Sequence, residues 1–122
     1  MTQWVYFDVD DTLVLWDKNY SWNSSGESEI FIEDPYNPTV KLGLKIHHKH
    51  VEDLKAHKDK GDIIVVWSQG GKEWADAVVE ALGLRQYVDY TLTKPEIIYD
   101  DLPAKEWLPM GVRWRENTKK DI

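Results

Sequence analysis

The chain has 122 residues, 42% of them apolar and 30% charged, with a net charge of −7. It is one domain with an ordinary core rather than two, and no apolar run approaches the roughly 20 residues of a membrane-spanning helix. The lack of cysteine excludes disulfides, thiol nucleophiles and cysteine-held zinc or iron–sulfur clusters, and the acidic balance argues against non-specific nucleic-acid binding, which needs Lys and Arg on phosphates.

No basic start followed by an apolar stretch marks a signal peptide, so a cytoplasmic location is expected, as a monomer or homodimer. Gln3 to Asp8 is the first expected strand, its apolar lead-in (Trp4, Val5, Tyr6, Phe7) reading as a strand buried on both faces. Leu13 to Glu29 mixes aromatic and small polar residues and reads as a loop or loose hairpin. Glu29–Glu33 and Thr39–Ile46 can pair as a hairpin around the turn residues Asp34 to Pro38. A helix over His47–Lys60 follows, ended by Gly61.

Strand two, Asp62–Trp67, is again apolar without alternation and runs into Ser68, Gln69, Gly70 and Gly71. Trp74, Ala75, Val78, Val79 and Leu82 recur at helical spacing, which predicts a helix over Lys72–Leu82 closed by Gly83. Tyr87–Thr93 reads as strand three and Glu96–Tyr99 as a short strand four ending in Asp100-Asp101. A brief helix from Pro103 to Trp107 and an edge strand, Val112 to Arg115, complete the chain. Alternating strands and helices predict a layered α/β domain, 1–122, with a mostly parallel sheet of about five strands and a flap and hairpin insertion near residues 13–46.

In such sheets ligands sit outside the carboxyl ends of the strands. Three expected strands end there in polar groups: Asp8 with Asp10, Ser68, and Asp100 with Asp101. Crowded carboxylates repel one another, and the usual remedy is a hard cation, magnesium or calcium. The plainer alternatives are a solvated acidic turn for Asp8, Asp10 and Asp11, and a helix cap for Asp100-Asp101.

The motif Asp8-Val9-Asp10-Asp11-Thr12 after an apolar strand, Ser68 ending a second, and Asp100-Asp101 after a third resemble the haloacid dehalogenase-like superfamily. The continuation DDLPAKEW is similar to its small capless members, phage-encoded ones among them. The resemblance implies a Rossmann-like three-layer fold and a magnesium-dependent phosphatase. Asp8 would be the nucleophile that carries the phosphoryl group. Asp10 would protonate the leaving alcohol and then activate water. Magnesium would be held by Asp8, the Asp10 carbonyl and Asp101, with Asp100 beside it. Thr12, Ser68 and the amides of Gln69 and Gly70 would bind phosphate oxygens near a helix N-terminus.

The family's lysine has two candidates. Lys94 has the right order and a following proline. An extended chain climbs roughly 3.3 Å per residue, so a lysine six residues before the end of strand four reaches the site only if residues 93–97 fold back. Lys72, opening the helix after Ser68, competes. Trp16, Tyr20 and Trp22 stand where the superfamily places a flap, and either stack on a base or sugar or pack the flap onto the body. His47, His48, His50 and His57 raise a zinc reading against that of an ordinary helix surface.

Rival functions are a signalling receiver, disfavoured because the middle strand IIVVW ends in Ser68 with no acid beside it, and a silent member serving as an interaction module. Residues 13–61 suffice for a flap and hairpin but not a full cap. A nucleotide or similar small phosphomonoester is the expected substrate, with a polynucleotide 3′-phosphate as the alternative.

Overall fold

The computed structural model describes residues 2–16, 28–114 and 117–121. Three strands form a parallel sheet in the order β1 (Trp4–Asp8), β5 (Ile63–Ser68), β6 (Tyr90–Thr93). A second, antiparallel sheet has the order β2 (Val14–Leu15), β4 (Asn37–Ile46), β3 (Ile30–Asp34). The helices are α1 (His48–Asp59), α2 (Lys72–Ala81) and the short α3 (Ala104–Trp107). β7 (Val112–Trp114) and β8 (Asn117–Asp121) close the chain as an antiparallel pair.

The sheet runs outward in one direction, from β1 through α1 to β5 and through α2 to β6. Right-handed crossovers taken repeatedly in one direction leave their helices on the same face. Phe7, Ile64 and Val66 on that face join Val51 and Leu54 of α1 and Trp74, Ala75, Val78 and Val79 of α2 in one buried core. Val9, Leu13, Val14, Ile32 and Leu44 bring the antiparallel sheet onto the same core.

The opposite face carries Trp4, Tyr6, Tyr90 and Leu92, all exposed, with Trp4 59% accessible. Trp4 stacks on Tyr90 with ring centres 6.0 Å apart, and Tyr6 meets Trp67 edge-on at 4.6 Å. β1 is therefore not buried on both faces, as its unbroken apolar run suggested: only Phe7 of its large side chains is buried.

Two expected strands differ. Glu96–Tyr99 forms no strand; its Ile97, Ile98 and Tyr99 are exposed, Tyr99 at 95%. The parallel sheet among the described residues thus has three strands rather than about five, with one edge of β1 unpaired. Val112–Trp114 pairs with β8 instead of joining that sheet.

Two ion networks hold β5 in place. Asp62, almost wholly buried, accepts the N–H of Gln3 at 3.0 Å and pairs with His57 at 2.9 Å. Asp89 accepts the N–H of Ile64 at 2.8 Å and both its oxygens take Lys58. His57 holds Asp62 below its ordinary value of 3.8, and the Ile64 N–H does the same for Asp89. A carboxylate depressed in the fold stabilises it above the unfolded value and loses that contribution as pH falls through the folded value. The urea midpoint should therefore drop between about pH 5 and pH 2, and Asp89→Asn should flatten the drop.

Candidate active site

The carboxyl ends of β1, β5 and β6 lie side by side, with Asp8 opposite Trp67 and Ser68 opposite Thr93 in register. Beyond β1 the chain turns tightly: the N–H groups of Thr12, Leu13 and Val14 all point to the carbonyl of Val9. Asp11 makes that turn possible. It adopts φ 60°, a left-handed conformation that Asp tolerates better than most residues, and its carboxylate accepts the N–H of Trp16 at 3.2 Å. Asp11 is thus a structural residue of the turn.

Asp8 is half-buried at the strand end. Thr12 Oγ1 donates to its Oδ2 at 3.5 Å, and the Lys94 ammonium stands 3.8 Å from Oδ1. Burial pushes the Asp8 carboxyl above its ordinary value; Lys94 opposes this and the nearby charge of Asp10 adds to it. Lys94 follows Thr93 directly, so it leaves the carboxyl end of β6, and its N–H is donated to the Ser68 carbonyl at 2.9 Å. Its distance from the site is set by β6, not by the residues preceding Asp100. Lys72 goes elsewhere: its ammonium pairs with Asp76 one helical turn on, at 2.7 Å.

Asp10 has a different setting. Its Oδ1 accepts two indole N–H groups, from Trp16 and from Trp74, each at 3.0 Å. Trp16 therefore has its polar edge on Asp10, while its ring packs against the core. Tyr20 and Trp22 lie outside the described residues.

The loop Ser68–Gly71 joins β5 to α2. Ser68 is fully buried and its Oγ accepts the Gly70 N–H at 3.0 Å, whereas Gln69 and Gly70 are exposed. Tyr36, at the tip of the β3–β4 hairpin, donates its hydroxyl to the Gly70 carbonyl at 2.6 Å and stands 3.3 Å from Glu73. Nothing local marked Tyr36 as more than a turn residue, because its partners lie more than thirty positions away. Tyr36→Phe should leave the core intact, cost about 1 kcal/mol or less at this exposed site, and speed amide exchange at Gly70 and Gly71.

The histidines go to separate partners. His48 pairs with Glu29 at 2.6 Å and His57 with Asp62. His47 and His50 stack with ring centres 3.7 Å apart. His50, buried, bonds through Nδ1 to the Thr12 carbonyl at 2.8 Å. A carbonyl can only accept, so that nitrogen carries the proton and ties α1 to the Asp8–Thr12 turn. Burial holds His50 below its ordinary value, which keeps the ring neutral.

Asp100 and Asp101 are exposed, and Asp100 accepts the N–H of Leu102 at 2.9 Å in a local turn. Among the described residues no three His, Cys, Asp or Glu side chains gather into a metal-binding group. The donors at the end of β1 are nonetheless hard carboxylate oxygens of the kind magnesium takes, and Asp8, disfavoured as an anion by burial and by Asp10, is a group that a cation would relieve. The structure brings together Asp8, Asp10, Thr12, Ser68 and Lys94; Lys72 donates its N–H to Thr93 but turns its ammonium to Asp76, and among the described residues no contact links Asp100 or Asp101 to Asp8. Comparison with protein-family models, with curated proteins and with solved structures finds no match to this chain.

Proposed function

We propose that this chain is a magnesium-dependent phosphomonoester hydrolase of the haloacid dehalogenase-like kind, acting through a phosphoaspartyl intermediate on Asp8. The observation that carries the reading is the meeting of one carboxylate, one ammonium and one glycine-bearing loop at the carboxyl ends of three adjacent parallel strands. An Asp8 oxygen attacks phosphorus as the bond to the leaving oxygen breaks, and Asp10 gives that oxygen its proton. Asp10 then takes a proton from water, whose oxygen forms the new bond to phosphorus while the Asp8–phosphorus bond breaks. Lys94 offsets negative charge on Asp8 and on an incoming phosphate.

Bound magnesium would supply charge neutralisation between Asp8 and the phosphate. Asp8 and the Asp10 carbonyl would hold it, together with Asp101 and with Asp100 beside them. For this, Glu96–Tyr99, which forms no strand in this structure, would have to add to the unpaired edge of β1 as a further parallel strand, extending the sheet toward the Rossmann-like form. Support comes from that free edge and from the bare apolar side chains of Ile97, Ile98 and Tyr99.

A nucleotide or similar small phosphomonoester suits the site best. Tyr36 places an exposed aromatic ring beside the loop Ser68–Gly71, and the net charge of −7 disfavours long polyanions. The test is hydrolysis of p-nitrophenyl phosphate with magnesium and with a chelator, followed by a panel of nucleotides, sugar phosphates and 3′-phosphorylated oligonucleotides. Metal-independent activity, or activity that survives Asp8→Asn, would overturn the proposal.

A further inference from the structure

Among the described residues, the hydrogen bonds to the Asp10 carboxylate fall on one oxygen. Trp16, just after β2, and Trp74, in the first turn of α2, reach its Oδ1 from six and 64 residues further along the chain. Each donor lies at 3.0 Å. An indole N–H can donate but never accept. A carboxylate oxygen has two lone-pair sites, so two such donors fill Oδ1 and leave no room there for a proton. Trp74 is itself 6% exposed and packed in the core, so its donor is fixed by its surroundings.

We infer that Trp16 and Trp74 are positioning residues that confine proton exchange by Asp10 to its Oδ2 oxygen. This deepens the phosphatase reading and rests on it. General acid catalysis depends on presenting one proton at one place, and a carboxyl free to rotate would divide its time between two. Trp74 adds a second constraint. It lies three residues after Gly71, on the helix that begins where the Ser68–Gly71 loop ends. The acid/base and the proposed phosphate cradle are thereby tied to one rigid element. It also follows that Trp16 is engaged by Asp10 and does not stack on substrate.

The test compares two esters in Trp74→Phe and in Trp16→Phe. A nitrophenolate leaves with little help from an acid, whereas an alkoxide needs the proton. Hydrolysis of an alkyl phosphate should fall about tenfold further than that of p-nitrophenyl phosphate in each variant. Equal losses on both esters, or none, would show a merely structural role. Trp16→Phe keeps the comparison open should Trp74→Phe fail to fold. An activity-independent readout is the indole N–H spectrum of the 15N-labelled protein. Asp10→Ala should move two of the seven indole signals and leave the rest in place. If the indole signals ignore Asp10→Ala, the positioning role falls whatever the activity. A wild-type protein that cleaves neither ester, with its indole signals still responding, overturns the phosphatase reading instead.

Discussion

Asp8→Asn should abolish magnesium-dependent hydrolysis and, measured in chelator, raise the melting temperature. The first half follows from the proposed chemistry. An amide cannot attack phosphorus and carry the phosphoryl group, and loss of a nucleophile commonly lowers kcat by on the order of 10⁴-fold or more. The second half follows from the setting of the side chain. Burial raises the Asp8 carboxyl above its ordinary value of 3.8, Lys94 lowers it, and the net shift is upward. A carboxyl whose folded value is raised prefers to be neutral in the fold, so its ionisation destabilises the folded state at neutral pH. Asparagine has the same shape without the charge and escapes that penalty. The gain should shrink as pH falls through the raised folded value and vanish below about 4, where Asp8 is protonated in the unfolded chain as well. Activity lost together with stability would point to a disrupted turn and not to a missing nucleophile. A gain in stability that persists unchanged into acid would contradict the electrostatic explanation. Adding magnesium should narrow the difference, because only the wild type gains a ligand.

That tension between ionisation and burial was legible from the residues, since three acids follow an apolar strand. So were β5, whose IIVVW admits few other readings, and α2, whose Trp74, Ala75, Val78 and Val79 are buried as their spacing predicts. The β3–β4 hairpin followed from its turn residues. What the residues could not reveal was decided by partners distant in sequence. An unbroken apolar run does not say how many of its faces are covered, and β1 has its second face bare because both crossover helices pack on the first. Glu96–Tyr99 has the composition of a strand, but a strand also needs an edge, and it pairs with none in this structure. Lys94 looked distant when measured against Asp100, yet it sits at the end of β6, whose register with β5 sets its height. The Trp74–Asp10 and Tyr36–Gly70 contacts join positions 64 and 34 residues apart, beyond the reach of local periodicity.

Gly71→Ala should damage both stability and activity, and the two losses have separable causes. Gly71 sits between Ser68 and α2 with φ 106° and ψ 158°, a region reserved for glycine, where any side chain costs on the order of 1–3 kcal/mol. An added Cβ would also run into the Tyr36 hydroxyl and lie 3.4 Å from Glu73 Oε2. Equilibrium urea denaturation should therefore show a loss of about 2 kcal/mol. If the Ser68–Gly71 loop holds the phosphate, the re-formed turn should also raise KM well beyond what the unfolded fraction explains. Gly83→Ala is the control. Its φ is 68°, so alanine there also pays for a left-handed backbone, about 1 kcal/mol, but nothing lies within 4 Å and the site is a helix length away. It should lose stability and keep its KM. Combining Gly71→Ala with Tyr36→Phe removes the hydroxyl in the way but not the backbone strain, so stability should recover only in part. Full recovery would mean that the tyrosine, and not the backbone of Gly71, requires glycine at this position. A Gly71→Ala protein with unchanged KM would remove this loop from the proposed phosphate site.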